Sequence, residues 1–211
     1  KHFAKEFMVK NNIPTAEYHK SETYEDCMSY ASRLIKESGK AVLKADTLCQ
    51  GKGVFIAESL IDAEDFCKKV LIEKIFGECS MVVEEYLDGF EMSLLCFVDN
   101  NTIKPLPTVK DHKKIHDGER GLNTGGMGTY SPNSQADIYL PEIESTVLTP
   151  FLDGIKKDAL DFRGIIFIGF MIGTKGIKVL EFNTRFGDPE TQTVLQRLET
   201  DLLDIMLHTS D

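Results

Sequence analysis

The sequence predicts an α/β (α+β) protein built as two lobes. Two observations predict that class. Short apolar runs, such as Ala41-Val42-Leu43 and Met81-Val82-Val83, read as strands, and they alternate with longer stretches whose apolar residues recur at helical spacing. A length of 211 residues suits one domain of two lobes, or two small domains.

The elements follow in order. Residues 3–11 read as a short helix, stopped by Asn11-Asn12 ahead of Ile13-Pro14. Ser21-x-x-Tyr24 opens a helix over 24–37, ended by Ser38-Gly39. Residues 41–45 form an apolar strand, and 54–57 another, reached through Gln50-Gly51-Lys52-Gly53. A helix over 61–75 puts Ala63, Phe66, Val70 and Leu71 on one face, and 81–86 is a strand. Together these make a small β-α-β-β-α-β lobe, placed at 21–85, with 1–20 and 86–211 forming the larger lobe. Strands of the larger lobe are expected at 91–98, 102–106, 165–172 and 177–183. A polar, glycine-bearing connection spans 110–133, a length that is usually functional or disordered. Residues 141–161 read as a helix kinked at Pro150, and 189–197 and 201–208 as closing helices.

Composition excludes several function classes. The hydrophobic fraction of 42% and the charged fraction of 27% are those of an ordinary globular chain. A net charge of −10 argues against a general nucleic-acid binder, although a few local Lys and Arg still suit an anionic ligand. The cysteines Cys27, Cys49, Cys67, Cys79 and Cys96 are odd in number and widely spaced, with no CxxC pair. They point to neither a zinc site nor a disulfide framework, and a reducing cytoplasm is the expected home. No apolar run approaches membrane-spanning length, and no signal-peptide pattern follows Lys1. The chain lacks an initiator Met and reads as a fragment or processed piece.

The chemistry concentrates in a few segments. In Val179-Leu180-Glu181-Phe182-Asn183-Thr184-Arg185, alternation along a strand puts Glu181, Asn183 and Arg185 on one face. A carboxylate and an amide oxygen suit Mg2+ shared with substrate phosphates, and a guanidinium suits a phosphate or acyl phosphate. Lys44 lies inside an apolar strand, where burial without a partner is costly. It reads as a phosphate ligand or as an edge lysine that reaches solvent. Gly51-Lys52-Gly53 could cradle phosphate on successive N–H groups, but it matches neither a Walker A loop nor a dinucleotide fingerprint. As an isolated motif it reads more readily as a plain hairpin loop. Backbone groups of Glu84-Glu85-Tyr86-Leu87 could bind an adenine edge, and Glu91 ribose hydroxyls; alone, the segment reads as a solvated acidic turn. Asp111-His112-Lys113 and Asn123-Thr124-Gly125-Gly126-Met127-Gly128 share the long connection, where the glycines permit close backbone approach to a substrate. His112, a lone loop histidine, is not expected to be an essential base.

Taken together, these segments resemble the ATP-grasp superfamily over essentially all of 1–211 and, within it, the phosphoribosylamine–glycine ligases (glycinamide ribonucleotide synthetases). The Asn123–Pro132 and Glu181–Gln192 segments are the specific ones; the Lys44 and Glu84–Glu91 segments are common to many ATP-grasp enzymes. The resemblance implies an ATP-grasp fold with the nucleotide cleft between the lobes. It implies ATP and Mg2+ (or Mn2+), with glycine and 5-phosphoribosylamine as substrates. Lys44, Gly51, Lys52, Gly53 and Val54 would then hold the phosphates. Glu84, Glu85, Tyr86 and Leu87 would hold adenine, Glu91 the ribose, and Glu181 and Asn183 the metal. Lys44, Lys52 and Arg185 would act on the transferring phosphate. Asp111, His112, Lys113, Asn123, Thr124, Gly125, Gly126, Met127, Gly128 and Arg185 would face the substrates.

The sequence also departs from the family. Thr47 stands where Gly is usual, Cys49 and Gln50 where small residues are usual, and Leu122 where Pro is usual. The strand over 165–172 lacks the acidic metal ligand of many relatives. The family's N- and C-terminal domains are absent, so the chain is expected to bind ATP with little or no ligation. It is expected to be a monomer or weak dimer, without nucleic-acid or membrane partners. The alternatives are another ATP-grasp carboxylate–amine ligase, or a nucleotide-binding module without catalysis.

Overall fold

The computed structural model describes residues 1–49, 52–118 and 120–210, and the chain divides into two compact units. Lys1–Glu6 with Ala16–Leu87 form the first; Phe7–Thr15 with Asp88–Asp211 form the second. These bounds differ from the expected lobes at 1–6, 16–20 and 86–87, which join the small unit. At 16–20 the reason is a strand that the apolar pattern did not reveal. Residues Tyr18–Ser21 (β1) carry no apolar run, yet they pair antiparallel with Met81–Glu85 (β4).

The first unit also contains helix α1 (His2–Lys10) in part, helix α2 (Tyr24–Ser38), strands β2 (Ala41–Ala45) and β3 (Val54–Ala57), and helix α3 (Leu60–Cys67). Its sheet runs β1-β4-β2-β3. Leu43, Ala45, Met81 and Val83 pack against Cys27, Ala31 and Leu34 of α2 and Ala63 and Cys67 of α3. Thr23, rather than Ser21, caps α2, its side chain accepting from the Asp26 N–H. Gly39 ends it in the left-handed conformation. The helix expected over 61–75 is shorter: α3 passes into a wide turn over Lys68–Ile72, and Lys74 has φ 54°.

The second unit is built on a sheet of order β12-β11-β5-β6, from β5 (Phe90–Asp99), β6 (Ile103–Pro105), β11 (Arg163–Gly173) and β12 (Gly176–Asn183). The connection expected over 110–133 is not structureless. It folds into two ribbons: β7 (Lys110–Asp111) pairs with β10 (Thr129–Tyr130), and β8 (Lys114–His116) with β9 (Arg120–Asn123). Short helices α4 (Ser134–Asp137) and α5 (Leu140–Ile143) follow. A wide turn over Glu144–Leu148 then leads into α6 (Thr149–Lys157). Pro150 has no N–H to donate back, so the expected kink takes the form of that wide turn. Phe151 of α6 lies 5.2 Å from Phe182 of β12, ring to ring. Helices α7 (Glu190–Val194) and α8 (Leu202–Ser210) end the chain. Val194, Leu198, Leu202 and Ile205 pack on Leu95, Phe97 and Phe167. Among the described residues no helix is long and apolar enough to cross a membrane.

Candidate functional site

In the first unit the site grows from one sheet face. Leu43 points into the helix-packed core, so alternation sends Lys44 to the opposite face. Strand β2 lies between β4 and β3, so Lys44 is not on an edge strand, and it is only 9% exposed. Val42 pairs with Glu84 and Lys44 with Val82, which makes Lys44 and Glu84 diagonal neighbours. Lys44 Nζ stands 2.8 Å from Glu84 Oε1. The other oxygen, Oε2, receives Lys5 Nζ at 2.9 Å. Glu84 and Lys5 are each 2% exposed. Burial pushes Lys5 down to about 8, with Lys44 adding to the effect and Glu84 opposing it. Lys5 escaped sequence reasoning. Its only signal was a lysine one helical turn from inward-facing Met8.

The remaining first-unit candidates are mixed in exposure: Gly53 and Leu87 are buried, Lys52 and Val54 exposed. Lys52 lies in the turn before β3, its N–H donating to the Cys49 carbonyl at 2.9 Å. Gly53 carries the carbonyl that accepts from Ala45 N–H at 2.8 Å, and any Cβ there would stand 2.5 Å from Cys49 Sγ. Gly51 lies outside the described residues, as does the side chain of Asn123. Val54 begins β3 and is exposed. The Glu85 carboxylate accepts from the Glu17 N–H at 3.0 Å, Lys40 sits over the Tyr86 ring, and Leu87 is buried.

In the second unit the register aligns Ser93, Gly169 and Glu181 across three strands, with Leu95, Phe167 and Asn183 in the next row. Glu181 and Asn183 therefore share a face, and Asn183 Nδ2 donates to Glu181 Oε1 at 3.2 Å. Glu181 Cγ lies 3.5 Å from where a Gly169 Cβ would stand. A side-chain carbon at position 169 would be in ordinary contact with Glu181. Arg185 departs from the expectation: β12 ends at Asn183, and Arg185 lies in the bend beyond it. Its guanidinium donates to the Phe186 carbonyl at 2.9 Å, and it lines a hollow of about 410 Å3 with Phe97, Ile165 and Met206. The alternation stops because pairing with β11 stops at Phe167–Asn183.

The ribbons bring the two loop motifs together. His112 N–H donates to the Gly128 carbonyl, Met127 N–H to the His112 carbonyl, and Thr124 N–H to the Lys113 carbonyl. Thr124 Oγ1 also accepts from the Gly126 N–H. Gly125 is part of the same turn. At Gly126, φ is +122° and a Cβ would stand 2.6 Å from Pro189 Cδ, so only glycine fits. Lys113 Nζ pairs with Glu91 Oε2 at 2.8 Å. Burial works against the Lys113 charge, but Glu91, with Glu181 and Asp111, holds it above the ordinary lysine value. Asp111 is 7% exposed, and its Oδ1 is buried with no hydrogen-bond partner among the described residues. Burial first, and the Glu190 carboxylate second, push it up to about 6. Glu190 is itself buried and accepts from Ser93 Oγ at 3.2 Å. Sequence reasoning quoted Glu190 in a motif but gave it no role.

Among the described residues no cluster of three His, Cys, Asp or Glu is placed to hold a metal. Glu181 and Asn183 nonetheless offer two oxygen donors side by side. That set fits a hard cation which completes its shell with phosphate and water oxygens.

Comparison with known proteins joins this geometry to a family. The family model for the phosphoribosylglycinamide synthetase ATP-grasp (A) domain matches residues 1–191. A phosphoribosylamine–glycine ligase of Clostridium acetobutylicum is 44% identical over 98% of the chain and 50% of its own length. A bifunctional purine biosynthetic protein of Pichia angusta is 44% identical over 99% of the chain and 27% of its own length. The crystal structure of phosphoribosylamine–glycine ligase from Thermotoga maritima superposes with a TM-score of 0.87 at 34% identity, covering 99% of this chain and 53% of that one. The chain therefore spans about half the length of these single-function relatives. D-alanyl-alanine synthetase A of Vibrio cholerae, at 14% identity and a TM-score of 0.75, shares the fold alone. The fold is ATP-grasp, and the chain belongs to the phosphoribosylglycinamide synthetase ATP-grasp (A) domain family.

Proposed function

We propose that this chain supplies the ATP-handling part of a ligase that joins glycine to 5-phosphoribosylamine, giving glycinamide ribonucleotide, ADP and phosphate. In that reaction the glycine carboxylate attacks the γ-phosphorus of ATP and releases ADP. The amine of phosphoribosylamine then attacks the glycyl phosphate carbonyl and expels phosphate. Buried Lys44, on an interior strand and gripped by Glu84, is the observation that carries the reading. A lysine in such a place is costly unless anions face it, and a nucleotide phosphate is such an anion.

The chain's own residues then divide the work. Lys44 and the exposed Lys52 neutralise the phosphate chain, with Gly51, Gly53 and Val54 beside it. The backbone of Glu84 to Leu87 meets adenine, and Glu91, oriented by Lys113, accepts from ribose. Glu181 and Asn183 would hold Mg2+ (or Mn2+), which when bound supplies charge neutralisation on phosphate oxygens. Arg185 steadies the transferring phosphoryl group. Asp111, with Glu190 behind it, gives a buried negative site suited to an amine. The loop of His112 and Lys113 with Asn123, Thr124, Gly125, Gly126, Met127 and Gly128 forms the substrate side.

The same reading makes the protein cytoplasmic and a monomer or weak dimer. It acts on small molecules rather than on nucleic acid or membrane, in keeping with a net charge of −10. The test is ADP release by the full-length protein carrying this chain, against a panel of acids and amines. Release that requires glycine and phosphoribosylamine together supports the reading, and release with another acid overturns it. This chain by itself is expected to bind ATP and to release little or no ADP.

A further inference from the structure

Glu84 holds two lysines, and only one of them was expected in the site. Lys44 reaches Oε1 from β2 at 2.8 Å, and Lys5 reaches Oε2 from α1 at 2.9 Å. A single lysine on a buried carboxylate would form a neutral pair, and an arriving phosphate would have to compete with Glu84 for that lysine. Two lysines sharing the carboxylate give three side chains that together carry one positive charge. The exposures are unequal: the Lys44 side chain is 11% exposed and that of Lys5 3%. Lys44 is thus the cation that an incoming ligand meets, and Lys5 the one behind it.

We infer that Lys5 is a positioning residue for nucleotide binding: by occupying the far oxygen of Glu84, it fixes that carboxylate and keeps Lys44 attractive to phosphate. The inference rests on the nucleotide reading above. Lys5 faces Lys44 from β2, Glu84 and Glu85 from β4, and the Tyr18 ring from β1, 5.9 Å from its Nζ. Its burial holds it near 8, so it loses its proton as pH rises above that value. A neutral Lys5 leaves Lys44 and Glu84 as a neutral pair, and phosphate attraction falls. Nucleotide affinity should therefore decline on the alkaline side, in a range where MgATP keeps a constant charge.

The experiment is calorimetric titration of the protein with MgATP at pH 7 and pH 9.5, for the wild type, Lys5→Met and Lys5→Arg. Wild-type affinity is expected to fall about tenfold between the two pH values. Lys5→Met should bind about tenfold more weakly at pH 7 and show no further fall. Lys5→Arg, which keeps its proton, should restore pH 7 affinity without the alkaline decline. A merely structural tie between α1 and β4 would change the melting temperature but leave the pH dependence of ATP affinity in place. Unchanged affinity in Lys5→Met, or an alkaline fall that persists in Lys5→Arg, overturns the inference. If Lys5→Met does not fold, the Lys5→Arg profile against wild type decides. Absence of ATP binding by the wild type at both pH values overturns the nucleotide reading itself.

Discussion

Glu84 organises the polar interior of the first unit, because both Lys5 and Lys44 depend on it. Replacing it by Gln would leave two buried ammonium groups without their anion. Glu84→Gln is expected to lower stability by about 3–5 kcal/mol, read as a reduced denaturant midpoint. A midpoint within error of wild type would mean that the cluster is more hydrated than its burial indicates. Asp111 runs the other way. Its folded value of about 6 lies above the ordinary 3.8, so its proton binds more tightly in the folded state. The unfolded chain gives up that proton first, and stability falls as pH rises from about 4 to 6. Asp111→Asn should therefore stabilise the protein at pH 7 by about 2 kcal/mol, with the gain vanishing below pH 4. Equal melting temperatures for mutant and wild type at pH 7 would contradict this. At this scale Lys44 was legible because a lysine within an apolar strand is conspicuous. Its partner Lys5 was not, since nothing in a helix of mixed polarity shows which lysine turns inward. Glu190 was hidden similarly: Ser93, which donates to it, and Asp111, whose proton it helps hold, are both remote in sequence.

Strands with apolar runs were legible to within a residue or two, as at β2, β3, β4 and β12. What escaped was structure held by pairing rather than by burial: the position of the lobe's leading strand β1, a polar strand fixed by β4, and the two ribbons of the long connection. The strand carrying Arg185 was read two residues too long for a related reason. Alternation was carried past Asn183, where β11 no longer supports it. Bulges are equally invisible. Gly169 pairs with Glu181 but Phe170 with Val179, which leaves Leu180 as the extra residue. One close approach sets the start of β5. A Cβ on Gly89 would stand 2.2 Å from the Ile172 carbonyl oxygen, and one on Gly173 2.0 Å from that of Asp88. Gly89→Ala should therefore push β5 from β11 at that end, costing about 2 kcal/mol or more. Unaltered thermal stability in this variant would show that the strand end yields freely.

At the scale of the whole molecule, the residues assigned to ATP fall in both units: Lys44 and Glu84 in the first, Glu91, Glu181 and Asn183 in the second. The fold class was readable because the apolar strands and the motifs at their ends follow one another in order; the assignment of these residues to ATP is a proposal. The exact unit bounds were not readable, because residues 1–20 are shared out by packing that no local pattern encodes. The central proposal is that Lys44 and Glu181 both serve the bound nucleotide. The most direct measurement is calorimetric titration with ATP in Mg2+ of the wild type, Lys44→Met and Glu181→Gln. The account predicts one ATP per wild-type chain and at least about tenfold weaker binding in each variant, consistent with loss of a charged contact to phosphate or its metal. Wild-type protein that binds no ATP, or variants that bind it as tightly as wild type, would contradict it.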